Sequence, residues 1–229
     1  SAMTVWSESA ENNDNPNLNL LSGELALIEK RYESAAKDLS AFYQSSPSFE
    51  VAKLIATALQ ELNKPAEGVV YLEKELQKLS SRFIEIHYVA EYMVNNRLFE
   101  RAAVYYEAIL NAYPEQFITL NNYANVLIKM GEYQRANEVA TKALQINTTS
   151  PFALDTVGWS LFKQNKPMES FVYIKKANEM LPNNIEIQFH LIENYIQLND
   201  TNNANILLKR MTIKSAQEKQ QYERLKSML

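Results

Sequence analysis

Cysteine is absent, which removes disulfides, thiolate nucleophiles and cysteine-type zinc sites together. Glycine and proline are scarce, at four and seven residues in 229. An all-β fold needs many turn residues, so this scarcity points to helices joined by short turns. Histidine occurs only at His87 and His190, 103 positions apart. A metal site wants ligands at helical spacing, and neither histidine has such a partner, so both read as ordinary surface or groove residues. No basic excess exists: 23 Lys and Arg stand against 27 Asp and Glu, giving a net charge of −4. That is the opposite of a nucleic-acid binder's footprint. No apolar run approaches the roughly 18 residues of a membrane span. No glycine-rich phosphate loop and no serine-elbow motif occur. Carboxylate pairs such as Glu73 with Glu75, or Glu186 with Glu193, belong on solvated helix faces. No enzyme, no metal and no cofactor are therefore expected.

What is present is enough apolar residue, 46%, to bury a core as one or two domains. Asparagine is abundant, with 23 residues, mostly where helix faces meet solvent or turns. The opening Ser1-Ala2-Met3 reads as a cloning remnant, so a targeting segment would lie upstream of it. Charge is uneven between the ends. Residues 7–29 hold five acids and no base, and residues 209–229 hold six bases and two acids. Such ends read as solvated, or as a weak, salt-sensitive head-to-tail contact between copies; a monomer is expected at ordinary salt.

The chain repeats. Pro114 and Pro182 are 68 residues apart, twice 34. Gly68, Ala102, Ala136, Ser170 and Ala204 fall on one 34-residue grid. Blocks starting at Phe49, Phe83, Phe117, Pro151 and Ile185 align without a gap, and a block one residue shorter begins near Pro16. Each block reads as two amphipathic helices. In the fourth, Leu120, Ala124, Leu127 and Ile128 form one apolar stripe, and Ala136, Val139, Ala140, Ala143 and Leu144 form the next. Small residues recur because two helices approach closely only where side chains are short. Gly158 is the close-packing position of its first helix, and Pro167 opens a second helix, where its missing N–H costs nothing. Residues 215–229 add one helix with Tyr222, Leu225 and Leu229 on a stripe, suited to capping the second helix of the last repeat.

These residues resemble the tetratricopeptide repeat family over about residues 16–212. The resemblance rests on Gly158, Leu161, Ala177 and Pro182 in the fifth block and on Tyr133, Ala136 and Ala143 in the fourth. It implies an all-α, right-handed superhelical solenoid of about six helix-turn-helix repeats plus a C-terminal capping helix. Residues 1–15 are then a tag remnant and linker, or the end of a preceding repeat. Repeats follow at 16–48, 49–82, 83–116, 117–150, 151–184 and 185–214, with the cap at 215–229. The run Asp155-Thr156-x-Gly158-Trp159, followed by Leu181-Pro182 and His190-Leu191, is similar to the penultimate repeat of exported bacterial proteins of this family. These include the lipoproteins that accompany exosortase (PEP-CTERM) sorting and exopolysaccharide loci.

The resemblance places binding on the groove lined by first helices. The groove positions include His87 and Glu91 in the third block, Asn121 and Asn125 in the fourth, Phe152, Asp155, Trp159 and Phe162 in the fifth, and Phe189 in the sixth. Trp159 is either an anchor for a partner or a ring packed on the neighbouring first helix. Phe152, Trp159, Phe162 and Phe189 would form one aromatic zone. Some proteins of the family hold a chaperone's terminal carboxylates with a basic clamp. Lys53 and Asn125 match two of its positions, but not in adjacent repeats, and His87, Asn121 and Asp155 stand where further bases are needed. The expected function is a non-catalytic scaffold for a protein or peptide partner, in envelope sorting or exopolysaccharide assembly. The alternatives are a cytoplasmic regulatory adaptor and a self-assembling array. Localisation follows: periplasm or outer membrane if the exported resemblance holds, otherwise cytoplasm.

Overall fold

The computed structural model describes residues 16–78 and 83–229. The remnant and linker assigned to residues 1–15 lie outside the described residues. Among the described residues there are thirteen α-helices and no strand. In chain order they are α1 (Pro16–Ile28), α2 (Tyr32–Ser45), α3 (Phe49–Glu61), α4 (Pro65–Leu76), α5 (Phe83–Asn95), α6 (Phe99–Ala112) and α7 (Phe117–Met130). They continue as α8 (Tyr133–Ile146), α9 (Pro151–Lys163), α10 (Pro167–Met180), α11 (Ile185–Gln197), α12 (Thr201–Arg210) and α13 (Ala216–Lys226). The chain forms two compact units, one through Leu98 and one from Phe99 on. The division falls inside the block 83–116, between α5 and α6.

The odd-numbered helices from α3 to α11 begin at 34-residue intervals, and so do the even-numbered helices from α4 to α12. One backbone device sets each turn. Asn63, Arg97, Gly131, Asn165 and Asn199 all have φ between 58° and 83°, in the left-handed region. At each, the next N–H reaches back five residues and closes the helix end, as from Lys64 to the Leu59 carbonyl at 2.8 Å and from Glu132 to Leu127 at 2.9 Å. Asparagine tolerates this conformation better than any residue except glycine, which is why so few glycines suffice. Pro65 and Pro167 then open α4 and α10 at their first turns.

Small residues mark the crossings. Ala102, Ala136, Ser170 and Ala204 are each 0% exposed. In the first unit the grid position carries Gly68. A Cβ there would lie 2.4 Å from the Tyr92 hydroxyl, which donates to the Ala56 carbonyl at 2.9 Å. The tyrosine that ties α5 to α3 therefore takes the space an alanine would need.

The second unit ends in α13. Ser215 and Glu218 form a reciprocal capping box at its start, satisfying two backbone donors. Leu225 is 0% exposed and packs with Phe189, Ile192, Ala204 and Leu208. Arg224 reaches Glu193 on α11 at 2.5 Å. The cap thus rests on α11 as well as α12, whereas the stripe Tyr222–Leu225–Leu229 pointed to the second helix alone. Leu229 stays 36% exposed and is not part of the seal. Among the described residues no helix is long and apolar enough to cross a membrane.

Candidate functional site

In the second unit α9 packs against both α7 and α11. Two polar bridges join these first helices. The Thr156 hydroxyl donates to Asn121 Oδ1 at 3.0 Å, linking α9 to α7. His190 Nδ1 meets the Asp155 carboxylate oxygens at 3.0 and 2.9 Å, linking α11 to α9. Asp155 and His190 are both buried. In that environment a charged or polar group is retained only when it is paired. The expectation of a surface or groove histidine therefore fails at His190. Its partner lies 35 positions away, one more than the repeat, as Thr156 does from Asn121. Helical spacing could not reveal either pair. A search at the repeat length plus one would have found both.

The Trp159 ring stacks on His190 with centroids 3.8 Å apart and 13° between planes. It also stacks on Phe162 at 4.8 Å and 8°. At 9% exposure the indole is part of the wall, packed on the neighbouring first helix, and not a free anchor. Phe162 is half-buried beside it. Phe189, expected in the groove, is 3% exposed and lies in the core under α13. The proposed aromatic zone is thus divided: the cap covers Phe189, Trp159 and Phe162 form a stack, and Phe152 alone stays open at 54%.

Other side chains on these helices face water. Ile118, one repeat before Phe152, is 63% exposed. Asn125, Lys129 and Lys163 are exposed, while Asn121 is half-buried and engaged by Thr156. The Lys163 ammonium lies 4.2 Å from the Trp159 ring centroid, a cation–π distance. Partial burial pulls its pKa below the usual lysine range, and Arg224 and Lys129 act in the same direction while Glu193 opposes them.

His87 and Glu91 belong to the first unit. His87 is half-buried, edge-on to Phe83 at 4.9 Å. Burial lowers its pKa, and exposed Glu91 opposes the shift. Lys53 pairs with Glu50 at 2.6 Å and lies over the Tyr88 ring at 5.4 Å. Among the described residues no group of three or more His, Asp or Glu side chains is arranged to hold a metal ion.

No protein-family model matches the sequence, and no curated protein matches it. Solved structures do match the fold. A tetratricopeptide repeat protein from Parabacteroides merdae ATCC 43184 is 15% identical, covers 93% of this chain and 93% of its own, and superposes with a TM-score of 0.71. PilF of Pseudomonas aeruginosa is 17% identical over 93% of this chain and 97% of its own, with a TM-score of 0.59. MamA from Desulfovibrio magneticus RS-1 is 16% identical over 78% and 95%, with a TM-score of 0.57. At these identities the likeness establishes the fold: all-α, of the tetratricopeptide-repeat solenoid type.

Proposed function

We propose that the chain is a non-catalytic scaffold that binds a protein or peptide segment along the first-helix face of its second unit. One observation carries the reading. Ile118 and Phe152 stand at equivalent positions of adjacent first helices and remain 63% and 54% exposed, on a wall whose other rings are packed. Single exposed apolar side chains are ordinary, but two in register on a rigid support make a ledge for an apolar side chain. Asn125, exposed two turns further along α7, offers both a donor and an acceptor to an extended backbone. The likeness of residues 155–191 to exported bacterial repeat proteins supports a role in envelope protein sorting or exopolysaccharide assembly.

The test is affinity capture from a bacterial envelope extract, with Phe152→Ala and Met168→Ala compared against the unaltered protein. Met168 is 70% exposed on α10 and lies off the first-helix face. Truncating a hot-spot aromatic costs about 2 kcal/mol, roughly thirtyfold in affinity. Partners should be lost with Phe152→Ala and kept with Met168→Ala. Retention by the first and loss by the second would move the binding face elsewhere.

A further inference from the structure

The second helices of the second unit carry a different pattern on their exposed side. On α10, helical spacing puts Met168, Val172, Lys175, Lys176 and Glu179 on one face, and all are exposed. The positions 34 residues on are Asn202, Ile206, Lys209 and Arg210 of α12, exposed and in the same register. Met168, Val172 and Ile206 are 70%, 65% and 40% exposed. The four cations follow one turn beyond the apolar row, and none of them has an ion-pair partner among the described residues. Lys175 Nζ rests 5.6 Å from the Phe171 ring centroid. Two carboxylates, Glu169 and Glu179, stand on α10, and neither is bridged to these cations. The chain as a whole carries −4, so the basic excess is local. Lys214 and Lys219 continue it towards the cap. On α8 the apolar row holds Glu138, which ends the patch.

We propose that the outer face of α10 and α12 docks on an anionic lipid bilayer. Headgroup phosphates would lie against Lys175, Lys176, Lys209 and Arg210, with Met168, Val172 and Ile206 pressed into the headgroup–acyl boundary. Peripheral attachment of this kind draws on both terms, apolar area and attraction to anionic lipid. A recess at the end of the basic row supports the headgroup contact. Arg210 lines a cavity of about 590 Å³ together with Gln188, Thr212, Lys214 and Glu218. The polar groups there are unequally engaged. Glu218 Oε2 accepts from the Lys214 and Ser215 N–H groups at 2.6 and 3.1 Å, and Gln188 donates to the Pro182 carbonyl at 2.7 Å. The charged ends of Arg210 and Lys214 have no carboxylate partner among the described residues, so a phosphate would meet both. A nucleic acid offers phosphates but leaves the apolar row in water, whereas a bilayer satisfies both rows. The first-helix wall plays no part in this docking, because Ile118 and Phe152 lie on α7 and α9.

The experiment is co-sedimentation of the full chain with vesicles of phosphatidylcholine, alone or mixed with phosphatidylglycerol. The chain should sediment with the mixed vesicles only, and added salt should release it. Each cation at such a surface contributes roughly fivefold to partition, so Lys176→Gln/Arg210→Gln should lower it roughly twenty-five-fold. Circular dichroism checks that this variant folds; if it does not, Lys175→Gln/Lys209→Gln replaces it with the same expected loss. Phe152→Ala and Lys129→Gln/Lys163→Gln, on the first-helix wall, should leave vesicle binding unchanged. A loss from the wall variants as large as that from the outer pair would overturn the proposal. So would absence of binding to the mixed vesicles, equal binding to both kinds, or full retention by the outer-face variant. Release by inorganic phosphate, where chloride of the same ionic strength does nothing, would overturn it in favour of the free anion. Tighter binding of a single-stranded oligonucleotide than of the mixed vesicles would overturn it in favour of a nucleic acid.

Discussion

Ser170 occupies the grid position where Ala102, Ala136 and Ala204 stand in other repeats, and the structure gives the reason. Its hydroxyl accepts from Asn194 Nδ2 at 2.7 Å, with both residues 0% exposed. Ser170→Ala restores the repeat's usual residue and gains about 0.5 kcal/mol of helix propensity. It also strands a buried amide donor, at a cost of about 1–3 kcal/mol. The desolvation cost wins, so the urea midpoint should fall; a midpoint that rises would show that the bond contributes nothing. Trp159 makes a second prediction of this kind. Trp159→Ala removes a ring packed between Phe162 and His190 and should cost about 3–5 kcal/mol, read by urea unfolding. An unchanged midpoint with lost peptide binding would restore the indole to the role of an exposed anchor.

Helix pairs depend on how closely their axes approach. A Cβ at Gly158 would lie 2.5 Å from Ile174 Cγ1 and 3.1 Å from the Ile174 nitrogen and the Ser170 carbonyl oxygen. The last two are backbone and cannot step aside. Alanine offers about 1 kcal/mol of helix propensity over glycine, against about 1–3 kcal/mol for overpacking. Gly158→Ala should therefore lower the melting temperature, although the same exchange on an open helix would raise it. The cap is the other element with a measurable role. Deleting residues 215–229 uncovers Phe189 and removes the buried Leu225, whose burial alone contributes about 1.5–3 kcal/mol. Hydrogen exchange should accelerate in α11 and α12 and stay unchanged in α7 and α8, because repeats couple chiefly to neighbours. Uniform acceleration, or none, would contradict this.

Stability of the molecule as a whole should fall in acid, because each unit holds a carboxylate below its usual range. At Glu75 in the first unit burial acts upward, but hydrogen bonds from Lys78 and Tyr43 more than offset it. At Glu107 in the second, the Tyr123 hydroxyl and then Arg135 hold the pKa down. A folded pKa below the unfolded one contributes stability above the unfolded value, near 4.3, and that contribution is lost as pH falls through the folded value. The Glu107 side chain is 43% exposed, so its share is small; Glu75, at 6%, dominates. Glu75→Gln should lower the melting temperature at neutral pH and flatten its decline below about pH 4. Parallel melting curves for variant and parent through that range would refute the assignment.

The sequence by itself determined the helix-pair period and the small residues at crossings such as Ala136 and Gly158. These are backbone and steric requirements that recur every 34 residues, so each repeat states them again. Only the tertiary structure decided the fate of the rings and the histidine. A helical position says which way Trp159, Phe189 or His190 points, and not what arrives on that side. His190 met Asp155 from the next first helix, Trp159 met His190, and Phe189 met the cap. Each partner comes from another helix, so burial there depended on packing that no single helix encodes, and it left Phe152, Lys129 and Lys163 as the side chains facing water.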